Sequence, residues 1–91
     1  MLNQVKIALR INNDAYDSEI TSLIEACKKE LQLSGIASSN IKETDNLIAQ
    51  TIVNYCKANF GFGEDAERYQ KSYESNKAFL CFSYNKDNKD V

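Results

Sequence analysis

No proline occurs anywhere in the 91 residues, and this absence constrains the fold more than any single motif. Proline removes a backbone donor and breaks helices, so a chain without it can run long helices uninterrupted. The apolar residues use that freedom. Tyr16, Ile20, Leu23, Ile24, Cys27 and Leu31 recur every three or four residues, which puts them on one face of an α-helix. Asp14 stands where it caps the start, and Asp17 and Glu19 bring negative charge to the positive end of the helix dipole. Lys28 and Lys29 fall toward the other end. Ser34-Gly35 closes the helix, because glycine accepts the left-handed conformation of a C-cap.

A polar loop, IASSNIKET, leads to a second helix capped by Asp45 or Thr44. Ile48, Ile52, Tyr55, Cys56 and Phe60 form its stripe, which Leu47, Ala49 and Val53 widen. A stripe this wide predicts contact on two sides and a central position. Gly61 ends the helix, and Gly61 with Gly63 lets the chain turn sharply. A third helix is predicted from near Glu64, with Asp65 and Glu67 in its first turn. Ala66, Tyr69, Tyr73 and Leu80 share a face, joined by Phe79 and Cys81. That aromatic stripe reads as a packing face. Glu64–Arg68 and Glu67–Lys71 are favourable pairs four residues apart. Leu2, Val5, Ile7, Ala8 and Leu9 predict a short helix over residues 2–9, with a turn at RINND. The reading is an all-α fold, a small bundle of three longer helices plus a short N-terminal helix. It forms one domain over residues 1–83, and YNKDNKDV is a polar C-terminal tail over 84–91.

Composition excludes several functions. Apolar residues make up 43% and charged residues 26%, ordinary for a globular protein. No apolar run approaches the roughly 20 residues that span a bilayer, and Lys6 interrupts any signal-peptide core, so a cytosolic protein without a membrane partner is expected. The net charge is -2, and Lys and Arg are scattered. A nucleic-acid binder that acts alone gathers a basic face to neutralise phosphates.

Catalytic groups are scarce too. There is no histidine, so the commonest general base is missing. Cys27, Cys56 and Cys81 are far apart, without CxxC spacing, and read as reduced, buried, small hydrophobes; no metal or other cofactor is expected. Lys57 follows Cys56 but does not face it on a helix, so it cannot activate the thiol. GFG at 61–63 follows a helix and lacks the GK[ST] ending of a phosphate loop. An enzyme is not expected. A helix-turn-helix is disfavoured in ELQLSGIASSNIKETDNLI, since the turn exceeds the usual three or four residues. The helix after it offers only Lys57, far from the N-terminal end where recognition residues cluster.

The order and spacing of several blocks resemble the small head–tail connector family of tailed phages and prophages. These blocks are INNDAYDSEI, LSGI, VNYCKANFG and YQKSYES, and the resemblance covers roughly residues 5–84. Two positions depart from the family pattern. Asn46 follows Asp45 where proline is common, and Asn76 follows YES where an apolar residue is usual. The resemblance implies a virion protein at the head–tail junction, made in the host cytoplasm. It implies a ring of this chain, commonly of twelve copies, that sits beneath the portal protein and extends the DNA channel. The ring docks a tail-side stopper or completion protein, and DNA passes without sequence-specific contact. A ring closes through head-to-tail contacts and needs two different adhesive faces on each subunit. The wide stripe of the central helix and the aromatics near the C-terminus are the expected suppliers. Phe79, Phe82 and Tyr84 are the expected partner-interface residues, because the stretch they occupy is too apolar for a free tail. The alternative is a small phage or bacterial regulator that binds DNA or a protein partner; steep loss of DNA affinity with salt would mark it.

Overall fold

Four helices carry the chain in the computed structural model, which describes residues 1–60 and 65–89. They are α1 (Leu2–Leu9), α2 (Asp17–Leu33), α3 (Asn46–Asn59) and α4 (Ala66–Lys89), with a 3₁₀ turn at Ser38–Asn40 between α2 and α3. No strand occurs among the described residues. The fold is an all-α small bundle, with the short N-terminal helix where the spacing over residues 2–9 puts it. Gly61, Gly63 and the expected Glu64–Arg68 pair lie outside the described residues.

α3 sits in the middle because its apolar stripe is the widest. Ile48, Ile52, Val53 and Cys56 share one buried cluster with Ile20, Ile24, Cys27 and Leu31 of α2. Tyr73 and Leu80 of α4, and Val5 and Leu9 of α1, complete it. Each fully buried side chain of this size contributes about 1.5–3 kcal/mol relative to exposure. The expectation of contact on two sides is met, since α3 packs against α1, α2 and α4. The stripe is thereby used up inside the subunit and is not available as an adhesive face between copies. Buried Thr51 satisfies its hydroxyl on its own helix, Oγ1 donating to the Leu47 carbonyl at 2.6 Å.

Side chains and glycine set most of the helix ends. Asp45 caps α3, its Oδ1 accepting from Leu47 N at 2.9 Å and Ile48 N at 3.4 Å; such a cap contributes about 1 kcal/mol. The cap forms without a proline at Asn46. α2 closes at Ser34 and Gly35, whose φ of 109° is open to glycine. Its start differs from the expectation. Tyr16 occupies the N-cap without a side-chain cap bond, and Asp14 instead binds Lys6. Tyr16 also leaves the buried stripe: it is exposed, its ring edge-on to Phe60 at 5.4 Å.

Ion pairs tie the elements. Lys6 Nζ lies 2.8 Å from Asp17 Oδ1 and 3.0 Å from Asp14 Oδ1, which locks α1 to the start of α2. Lys28 does not serve the C-terminal end of α2. It pairs with Glu43, which also sits 3.4 Å from the Met1 amine. The Lys28 hydrogen bond holds the Glu43 carboxyl below its ordinary range, and Lys6 does the same to Asp14. A depressed carboxyl stabilises the fold above its unfolded pKa and loses that contribution as pH falls through the folded one. Thermal melts are therefore expected to weaken as pH drops below about 4.5, and Glu43→Gln should flatten that dependence. An acid limb of the same depth in Glu43→Gln would assign it elsewhere.

α4 runs to Lys89 without interruption, through the polar stretch read as a tail. Its 24 residues span about 36 Å, most of the molecule's 46 Å long axis. α3 and α4 are antiparallel neighbours. Tyr55 meets Tyr73 edge-on at 5.1 Å, and the Tyr84 hydroxyl donates to Asp45 Oδ2 at 3.1 Å. The pair Glu67–Lys71 forms on the exposed side at 3.4 Å.

Candidate docking surface

α4 has two faces, and its sequence spacing decides which residues go where. Tyr73, Leu80 and Tyr84 are separated by seven and four residues, so they stack along one line of the helix. That line faces inward. Tyr73 is fully buried, and its hydroxyl donates to Glu30 Oε1 at 2.7 Å. Lys77 Nζ lies 3.4 Å from the same oxygen and 5.3 Å from the Tyr73 ring centroid. Cys81 Sγ donates to the Ser34 carbonyl at 3.5 Å. These contacts fix the rotation of α4 against α2. Burial, and then the Glu30 acceptor, push the Tyr73 phenol well above the ordinary tyrosine range.

Phe82 is two residues from both Leu80 and Tyr84, hence about 160° around the helix from each. It is 68% exposed. Phe79 is three residues from Phe82, on the same outward side, and is 60% exposed. The inward place given to Phe79 alongside Tyr73 and Leu80 is thus corrected: one residue of offset from Leu80 turns it about 100° away from the core. Exposed Ala78 lies beside them. Of the three expected interface residues, Phe79 and Phe82 share the outer face. Tyr84 is turned inward, packed against the core and bound to Asp45. Asn76, the second departure from the family pattern, is half-buried.

One further residue belongs to this end of the molecule. Leu33, at the C-terminus of α2, is 78% exposed. It adjoins Ser34, whose carbonyl accepts from Cys81 of α4. The sequence held a signal for it: Leu31 and Leu33 are two apart, and a helix cannot bury both against the same neighbour. Exposed phenylalanines one turn apart on a helix are the kind of surface that marks a protein–protein contact.

Cys27 and Cys56 are buried and carry no nucleophilic chemistry. Burial pushes Cys27 up to about 12 and Cys56 up to about 11, so neither is a thiolate near neutral pH. No group of three metal-ligating side chains occurs among the described residues. Among them, no helix is long and apolar enough to cross a membrane.

A family model described as phage connector protein matches residues 1–87. The chain belongs to the phage connector family. No curated protein and no solved structure matches it. Membership makes this connector a structural phage protein and a component of the virion; the family is structural, not enzymatic.

Proposed function

We propose that this connector assembles as a ring beneath the portal of a tailed-phage head. There it extends the DNA channel and offers the next tail-side protein a docking surface. The observation that carries the reading is the outer face of α4, where Phe79 and Phe82 stand exposed on a helix whose opposite face is locked into the core. A monomer has no need of two phenylalanines in water. Covered by the portal or by a neighbouring subunit, they become the desolvated aromatic anchors on which interfaces depend. Membership in the connector family supports the choice of partner. The modest size of the chain fits too, because a small core gains stability from association. A weakly acidic wall suits a channel through which DNA must slide, since tight phosphate contacts would retard it.

The test is native mass spectrometry of the connector mixed with the portal ring encoded beside it. Stoichiometric binding, near one connector per portal subunit, is the expected result. No complex, with both proteins folded, would overturn the reading. A free connector that is monomeric does not decide the matter, because the portal ring can act as the template.

A further inference from the structure

At the other end of α3 and α4, away from the phenylalanine face, is a cleft of about 370 Å³. Ala8, Leu9 and Arg10 from the end of α1, Lys57 from the last turn of α3, and Asp65 and Tyr69 from the start of α4 line it. Tyr69 is the centre of a cationic cluster. Lys57 Nζ lies 4.7 Å from its ring centroid and Arg68 Cζ 5.0 Å, with Arg68 Nη2 donating to its hydroxyl at 3.2 Å. Arg68 first, and then Lys57, lower the Tyr69 phenol below its ordinary range.

Three observations separate this cluster from an ordinary solvated surface. First, Lys6, Lys28, Lys71 and Lys77 each pair with a carboxylate. Arg10, Lys57 and Arg68 have no such partner within 4 Å among the described residues. Asp65 is the one carboxylate among the described residues lining the cleft. Lys29 and Lys42 have no such partner either, but Arg10, Lys57 and Arg68 differ from them in standing about one cleft and one aromatic ring. Second, Arg10 has φ 61° and ψ 38°, the left-handed conformation that costs a non-glycine residue energy. Its N–H donates to the Ile7 carbonyl and the Ile11 N–H to the Lys6 carbonyl, closing α1 in a turn glycine makes more cheaply. Arginine here sets a guanidinium at the rim of the cleft. Third, the walls are mixed: Ala8, Leu9 and the Tyr69 ring are apolar, and the charges crown them.

We propose that this cleft receives an acidic side chain, a glutamate or aspartate, presented by a protein partner. The carboxylate sits among Arg10, Lys57 and Arg68, and its methylenes lie on Leu9 and the Tyr69 ring. Shape favours a protein over a nucleic acid. Duplex phosphates follow a convex backbone and are met by a stripe of cations across a face. Here Arg10 and Lys57 line a single concavity, and Arg68 stands beside it on the Tyr69 ring. Arginine and tyrosine are also the residues most enriched where one protein anchors another. The cleft lies about 15–20 Å along α4 from Phe79 and Phe82, so the inference does not depend on what covers those residues.

The test is an amide-NMR titration of the full chain with a capped four-residue peptide rich in glutamate, and with the same peptide carrying glutamine. The glutamate peptide is expected to shift Ala8, Arg10, Lys57 and Tyr69 saturably at millimolar concentration, and the glutamine peptide is not. Lys57→Gln should weaken binding about tenfold, the loss of one charge-assisted contact. Arg10→Gly is the sharper variant. It relieves the left-handed strain, so the thermal midpoint should hold or rise while binding falls. Equal shifts with both peptides, no shifts at all, or binding unchanged in both variants would overturn the proposal. Displacement of the peptide by a short duplex, bound more tightly at the same residues, would also overturn it in favour of phosphate recognition.

Discussion

Tyr73→Ala is expected to lower the thermal midpoint by roughly 15–30 °C, the largest effect of any single substitution in α4. Tyr73 is the largest fully buried side chain among the described residues. It sits where three helices meet: its ring packs edge-on against Tyr55 of α3, and its hydroxyl reaches Glu30 of α2. Truncating a buried aromatic to alanine costs about 3–5 kcal/mol through lost transfer energy and the cavity left behind. A domain of this size has only about 5–15 kcal/mol in all. Tyr73→Phe separates ring from hydroxyl. It keeps the packing and removes one hydrogen bond, a cost of about 0.5–1.5 kcal/mol, because partly exposed Glu30 can turn to water. The alkaline limb supplies a second reading. The Tyr73 phenol is raised in the fold, so its contribution is complete below the ordinary tyrosine pKa and is lost as pH rises above about 10. Cys27 and Cys56 are raised as well and add to the same loss from about pH 9. Tyr73→Phe should therefore melt less steeply with alkaline pH, though not flatly. A Tyr73→Ala protein that melts within a few degrees of the parent would mean that α4 is not part of the cooperative core.

Periodicity makes most of this bundle readable in the sequence. Helices declare themselves through residues three and four apart, and the absence of proline left every such stripe intact. The places where reading and structure part have specific causes. Asp14 was a plausible cap by type and position, but Lys6 of α1, eight residues away, competes for its carboxylate. Tyr16 fits the stripe of α2 by spacing yet falls at the N-cap, beyond the first full turn, where burial is not enforced. The hydrophobicity of Phe79 argues for the inner face, but its phase relative to Tyr73 and Leu80 points outward. Phase is the better guide, because a helix locked by Tyr73, Leu80 and Tyr84 has no rotation left to bury Phe79. The contacts between Tyr84 and Asp45 and between Tyr73 and Glu30 link residues 39 and 43 positions apart. No local pattern encodes such pairs. The cationic cleft was hidden for the same reason: Arg10, Lys57 and Arg68 are scattered in the sequence and meet only once three helices are packed.

The double variant Phe79→Ser/Phe82→Ser is expected to keep the fold and lose the partner. Both side chains are mostly exposed, so their removal should change stability by no more than about 0.5 kcal/mol. At an interface the accounting reverses. Truncating a desolvated aromatic anchor costs about 2–4 kcal/mol, so losing two weakens docking on the portal by roughly three to six powers of ten if their effects add. Deleting residues 82–91 is a poorer test, because it also removes Tyr84 and its bond to the cap of α3. A fall in docking would then mix a lost surface with a loosened helix. The point variants avoid this, and Tyr84→Phe serves as the control that disturbs the inner face while sparing the outer one. The measurement is native mass spectrometry or sedimentation with the portal ring, alongside circular-dichroism melts of each variant. Unchanged docking by a folded double variant would remove the outer face of α4 from the interface. Lost docking in Tyr84→Phe, with the double variant unaffected, would move the contact to the α3–α4 seam that Asp45 and Tyr84 close.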